Sequence, residues 1–198
     1  MLAFVESRQV DGLMTKKKSI YDSGTTKGSA PRTSDRKKYE DNYDKIFRKK
    51  DKNGRKKTAI VSGYFDPLHV GHIEYFKLAK EMADELIVIV NNHEQCMLKK
   101  GDEFMDEHDR LEIVFHLDMV DEAIVACDEG KSVSDTIRMI HRMKPMDKLI
   151  FCNGGDRDAS NSPEVKVCSE LGIEFIQGLG KKIRSSSELT GLVEMTDE

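Results

Sequence analysis

From residue 58 onward, short apolar runs alternate with stretches in which apolar residues recur at helical spacing. Thr58-Ala59-Ile60-Val61-Ser62 and Glu85-Leu86-Ile87-Val88-Ile89-Val90 are near-continuous apolar segments, the pattern of strands buried on both faces. Ala123–Ala126, Leu149–Cys152 and Ile173–Ile176 are shorter runs of the same kind. Between them, Ile73, Phe76, Leu78 and Ala79 predict a helix that runs to Met82. A second helix is expected from about Asp106 to Leu117. Val133, Ile137, Ile140 and Met143 line one face of a third. Pro163 opens a fourth that Gly172 closes, as proline tolerates a first helical turn and glycine suits the position after the last. Ser185 to Val193 predicts the last. Such alternation implies a doubly wound parallel sheet of about five strands with helices on both faces. Its crossovers are expected to be right-handed, with a ligand outside the carboxyl ends of the strands at the switch point.

Residues 1–57 do not share this pattern. Residues 1 to about 35 lack sustained periodicity, and Ser23–Pro31 reads as a mobile, linker-like stretch. Tyr39, Tyr43, Ile46 and Phe47 fall at i, i+4, i+7 and i+8, which predicts a short amphipathic helix over 36–50. Charge divides at the same boundary. Residues 1–57 hold 17 Lys+Arg against 8 Asp+Glu, a net of +9, and the overall −4 therefore leaves −13 for the remainder. Two domains follow: a basic extension, 1–57, and a folded unit, 58–198. Acids interspersed through the extension weigh against nucleic acid as its partner, and docking on the domain or on a partner subunit is the expected role. The four cysteines are widely spaced without a CxxC, as expected of reduced, buried side chains. No apolar run is long enough to span a bilayer, and the first residues lack the pattern of a secretory signal. No membrane partner is expected, and the cytoplasm is the expected location.

The chemistry concentrates in Gly63-Tyr64-Phe65-Asp66-Pro67-Leu68-His69-Val70-Gly71-His72, between the first strand and the first helix. Gly63 permits a close backbone approach to a ligand. Pro67 ends the strand. The turn directs backbone N–H groups and a helix N-terminus toward one point, which suits an anion. His69 and His72, three apart, share a helix face. Read alone, such histidines serve as caps or packing residues. A metal pair is the other plain reading, but no Cys or carboxylate stands beside them at ligand spacing.

Gly-x-Phe-Asp-Pro-x-His-x-Gly-His resembles the signature of the nucleotidyltransferase superfamily typified by cytidylyltransferases. Lys182-Ile183-Arg184-Ser185-Ser186-Ser187 resembles the Ser/Thr-rich motif that opens that family's last helix. The two motifs stand in the right order, and the resemblance covers about residues 58–192. It implies a Rossmann-like fold. It also implies an enzyme that moves CMP or AMP from CTP or ATP, with Mg2+, to a phosphorylated sugar, polyol or similar metabolite. An acceptor phosphate oxygen attacks the α-phosphorus, and pyrophosphate leaves. A homodimer is the expected assembly.

Within that resemblance, His69 and His72 are the candidate catalytic contacts to the triphosphate. Gly63, Tyr64, Phe65 and Asp66 form the nucleotide-binding turn, with Asp66 bracing it or reaching a metal-bound water. Lys100, in Lys100-Gly101, matches a family lysine and is the third catalytic candidate, expected to hold the incoming phosphate or the triphosphate, whereas Lys99 reads as an ordinary surface lysine. Arg110 matches a family arginine near the nucleotide; an exposed ion pair with Asp106 is its plainer reading. Asn153-Gly154-Gly155-Asp156-Arg157 supplies two glycines for close approach, Asp156 for hydroxyls and Arg157 for an acceptor phosphate. The same residues would also serve as a tight turn. Gly-Gly-Asp tilts slightly toward the heptose-phosphate adenylyltransferase branch and away from glycerol-phosphate cytidylyltransferases. Ser185, Ser186 and Ser187 face the outer phosphates. Arg184 departs from the small or apolar residue usual at its place. Two competing classes are a silent nucleotide-binding module recruited through its basic arm, and a fragment related to class I aminoacyl-tRNA synthetases. The chain is too short, and its tail motif too unlike theirs, for the latter.

Overall fold

In the computed structural model, the described residues are 53–154, 162–180 and 184–191, together with the backbone of 7–10 and 13–16. The helix expected over 36–50 lies outside them. The elements in chain order are β1 (Ser7–Val10), β2 (Leu13–Lys16), β3 (Lys57–Gly63), α1 (Val70–Met82), β4 (Glu85–Val90), α2 (His93–Lys100), α3 (Glu107–Phe115), β5 (Glu122–Val125), α4 (Ser134–Met143), β6 (Lys148–Gly154), α5 (Pro163–Leu171), β7 (Glu174–Leu179) and α6 (Ser186–Thr190).

The strand order is β1-β2-β5-β4-β3-β6-β7. β3 through β7 are mutually parallel, which is the expected Rossmann-like sheet. From β3 the chain winds outward through β4 and β5, then crosses back to place β6 on the other side of β3. The switch point therefore lies between β3 and β6, at their carboxyl ends. A feature the apolar pattern did not announce is the hairpin β1–β2. It pairs antiparallel with β5, with Leu13 opposite Ile124 and Thr15 opposite Glu122.

Alternation along the central strands builds two cores. Ala59 and Val61 of β3 face one side, under Phe76 and Ala79 of α1 and Leu111, Val114 and Phe115 of α3. Ile60 faces the other, with Ile137 and Ile140 of α4 and Val167 and Cys168 of α5. Every residue of β4 is buried, the reason its sequence shows no alternation. At the amino edge Lys144 joins Glu85 at 3.1 Å and Glu122 at 2.6 Å. No helix among the described residues is long and apolar enough to cross a membrane.

The helix starts explain where sequence and structure differ. α1 begins three residues before the expected Ile73, because His69 takes the N-cap in extended conformation. Asp106 caps α3 by accepting from the amide of His108 at 2.8 Å. α2 was not anticipated. Its signal is Asn92 followed three residues later by Gln95, a reciprocal cap. The Asn92 carboxamide accepts from the Gln95 amide, and the Gln95 side chain accepts from the Asn92 amide.

Candidate active site at the switch point

β3 delivers the chain into a turn that doubles back on itself. Phe65 has φ 51°, the left-handed region, uncommon for a bulky residue and frequent where function holds the backbone. Its ring folds beneath the turn, 2% exposed. It meets the ring of His72 edge-on, centroids 5.0 Å apart, and that of Phe76 at the same distance. A Cβ on Gly63 would stand 2.8 Å from the Phe65 ring. Glycine at 63 therefore makes room for Phe65 as well as for the turn. A Cβ on Gly71 would likewise press on the His69 ring at 3.2 Å. The signature glycines and the phenylalanine are in this way a packing unit that fixes two imidazoles.

Those imidazoles stack, with centroids 3.7 Å apart and planes 11° from parallel. The backbone N–H of His69 donates to Nδ1 of His72 at 3.3 Å. His72 therefore carries its proton on Nε2, the tautomer this hydrogen bond requires. Nδ1 of His69 is buried with no hydrogen-bond partner among the described residues. Burial, then His69, then the Lys100 ammonium push His72 down to about 3. Burial also lowers His69, against its own backbone hydrogen bond; the Arg184 cation lowers it further. At neutral pH both rings are uncharged donors.

Three buried charges hold the turn from behind. The carboxylate of Asp66, fully buried, accepts from the amides of Phe104 at 3.0 Å and Met105 at 2.8 Å. The ammonium of Lys100 donates to the Asp66 carbonyl at 3.0 Å and lies 3.6 Å from its carboxylate. Arg110 is 1% exposed. It donates to the carbonyls of Tyr64 (2.9 Å), Asn91 (2.6 Å) and Met105 (2.9 Å), and its remaining nitrogen meets Glu103 at 3.3 Å. Arg110 thus neither pairs with Asp106 nor lies exposed; it ties the ends of β3 and β4 to the loop before α3. Asn91 and Gln95, which the sequence reading left without a role, continue the truss. The Asn91 carboxamide donates to Gln95 at 2.7 Å, and Gln95 donates onward to the carbonyls of Gly130 and Ser132.

The tail motif reaches the same turn. Ser185 is the extended N-cap of α6, and the Ser186 hydroxyl donates to the Pro67 carbonyl at 3.1 Å across 119 residues of sequence. The backbone nitrogen of Arg184 lies 3.8 Å from where a Cβ of Gly71 would stand. Ser187 follows in the first turn of α6. Across the switch point Gly154 ends β6 against the Tyr75 ring, 3.1 Å from a Cβ there. The Tyr75 hydroxyl donates to the Cys152 carbonyl. Gly155, Asp156, Arg157 and Lys182 lie outside the described residues.

A sequence model described as cytidylyltransferase-like matches residues 60–171. The FAD synthase of Pyrococcus horikoshii is 37% identical over 105 residues, which is 52% of this chain and 66% of that protein. The bifunctional protein HldE of Geobacter metallireducens is 34% identical over 103 residues, 51% of this chain and 19% of that protein. The chain thus spans just under two thirds of the first relative and about a fifth of the second. Among solved structures, a lipopolysaccharide core biosynthesis protein from Thermoplasma volcanium superposes with a TM-score of 0.50 at 25% identity, over 63% of this chain and 98% of that one.

Proposed function

The chain belongs to the cytidylyltransferase-like family, and from that premise we propose that it is a nucleotidyltransferase. It moves CMP or AMP from CTP or ATP to a phosphorylated sugar, polyol or similar small metabolite. A phosphate oxygen of the acceptor bonds to the α-phosphorus, the bond from that phosphorus to the β-phosphate bridging oxygen breaks, and pyrophosphate carries the electron pair away. The observation that carries the reading is the meeting of His69, His72 and the Ser186 helix on one turn at the switch point, joined by the bond from Ser186 to Pro67. The FAD synthase and HldE relatives leave the acceptor class open.

Such transfer needs positioning and stabilisation of charge that grows on the triphosphate. The Nε2–H of His72 and the His69 ring are neutral donors, held rigidly by Phe65, Gly63 and Gly71. Ser185, Ser186 and Ser187 set the N-terminus of α6 toward the outer phosphates. Gly154, with Gly155 and Asp156, is assigned to the nucleotide, and Arg157 to the acceptor phosphate. Asp66, Lys100 and Arg110 keep the turn in shape. Among the described residues no three His, Cys, Asp or Glu side chains cluster as a metal site, and both Asp66 carboxylate oxygens accept amides. The residues fit a Mg2+ ion that arrives on the triphosphate, where it supplies neutralisation of the phosphate charge.

Four nucleoside triphosphates against a panel of phosphorylated acceptors, read by pyrophosphate release, test the proposal. One nucleotide–acceptor pair is expected to release pyrophosphate well above background. Nucleotide binding without release from any pair would support the silent module instead.

A further inference from the structure

β6 does not follow β3 to its end. The pairing of β3 with β4 runs to Gly63 opposite Val90, but its pairing with β6 stops at Val61 opposite Cys152. β6 goes on beside β7 instead, to Gly154 opposite Leu179. Cys152 to Gly154 is two steps along β6, while their partners Ile176 and Leu179 are three steps apart on β7. The extra residue makes a bulge, and Gly178 within it has φ 73°, a left-handed backbone that glycine permits. Bulges bend a strand pair and are frequent beside functional sites. β3 and β6 therefore part at the switch point, where the ligand of such a sheet sits.

Tyr75 of α1 stands in the parting, buried. Its hydroxyl donates to the Cys152 carbonyl, at the last position where β6 pairs with β3. Backbone hydrogen bonds from Ser62 on β3 and Gly154 on β6 also reach this hydroxyl. One side chain thus serves polar groups of both strands that would otherwise stay buried and unpaired, at a cost in free energy. The ring closes on Gly154, where a Cβ would lie 3.1, 3.2 and 3.3 Å from three of its atoms. His72 precedes Tyr75 by three residues on the same helix, so α1 fixes an imidazole and the end of β6 relative to each other. We infer that Tyr75 is a positioning residue for the nucleoside: its hydroxyl holds the end of β6 apart from β3 and keeps open the cleft beside Gly154. The bridge between the parted strands stands on this geometry. The nucleoside as occupant rests on the proposed nucleotidyl transfer, in which the histidines and serines take the phosphates.

Calorimetry on the full chain compares ATP and CTP, each with Mg2+, against magnesium tripolyphosphate, the phosphate chain alone. In Tyr75→Phe the better-bound nucleotide is expected to lose at least about tenfold in affinity, as loss of a buried hydrogen-bond partner implies. Tripolyphosphate should lose less than about twofold. Ile137→Val, in the opposite core, lowers stability away from the cleft and should leave both affinities in place. Equal losses for nucleotide and tripolyphosphate in Tyr75→Phe, or no loss for either, would overturn the inference. If Tyr75→Phe does not fold, the unsubstituted chain labelled with 13Cζ-tyrosine carries the test. Nucleotide should then move the Tyr75 signal saturably while tripolyphosphate leaves it in place. A signal that stays put with nucleotide bound, or that tripolyphosphate moves equally, would overturn the inference and leave nucleotidyl transfer untouched. A chain that binds nucleotide yet releases no pyrophosphate would remove the transferase reading and leave the Tyr75 result standing.

Discussion

Two imidazoles stacked 3.7 Å apart cannot both be cations without strong mutual repulsion, and burial removes the charge from each. His72 in the folded state ionises near 3, below its unfolded value near 6.5. Between those values the unfolded chain binds the extra proton, so the contribution is fully present above about pH 6.5 and is lost as pH falls toward 3. This one site should tilt stability by about 1.4 kcal/mol per pH unit across that window. His72→Gln should flatten the slope in urea melts at pH 4.5–6; an unchanged slope would show that the ring is not held neutral. For turnover, a donor aimed at developing charge is worth about 10²–10³-fold. His72→Ala is therefore expected to lose that much kcat while its circular dichroism stays native.

At the scale of elements, the site consists of loops whose shape is imposed from behind. Arg110, on α3, holds carbonyls from three separate segments. A lysine, with one terminal nitrogen, cannot span them, because only the guanidinium fork presents donors in several directions. Arg110→Met should cost about 3–5 kcal/mol in urea unfolding, the range for breaking a buried charged cluster, and Arg110→Lys should recover little of it. A loss under 1 kcal/mol would mean the clamp is dispensable. α6 touches the turn through Ser186, and its value lies in geometry, since hydroxyls carry no charge. Ser186 and Ser187 changed together to Ala should weaken triphosphate binding, at about 1.5–3 kcal/mol per lost hydrogen bond to a charged group. Monophosphate binding should change much less. Calorimetry that finds equal losses for the two nucleotides would place the serines away from the outer phosphates.

For the molecule as a whole, the β1–β2 hairpin and the site lie at different parts of the sheet. β1 and β2 cover the edge of β5, while the site forms at the carboxyl ends of β3 and β6. A chain that starts near Arg36 should therefore keep catalysis. It would also leave the β5 edge unpaired, and open edges recruit other strands. The expected outcome is near-normal pyrophosphate release per folded molecule, with concentration-dependent association in gel filtration. Loss of activity in a folded monomer would show that the extension contributes to the site.

The layered architecture was legible in the order of residues alone. Buried strands such as β4 must be apolar on both faces, and helices must be apolar on one, so β/α alternation was legible without coordinates. The meeting of the His69–His72 turn with the serine tail was legible too, because both motifs resemble those of one family and stand in its order. Whatever depends on contacts distant in sequence emerged with the folded chain. It put Arg110 under the turn as a clamp rather than on the surface beside Asp106. It gave Lys100 to Asp66 and set Lys99 over the Tyr64 ring, a distinction two neighbouring lysines cannot show in one dimension. It used Gly63 and Gly71 to clear space for the Phe65 and His69 rings, where the sequence offered only conformational freedom. It added β1 and β2 to the sheet, since a short hairpin at an edge needs no continuous apolar run. Chain connectivity fixes which elements form; burial against partners decides which of their polar groups remain available for a ligand.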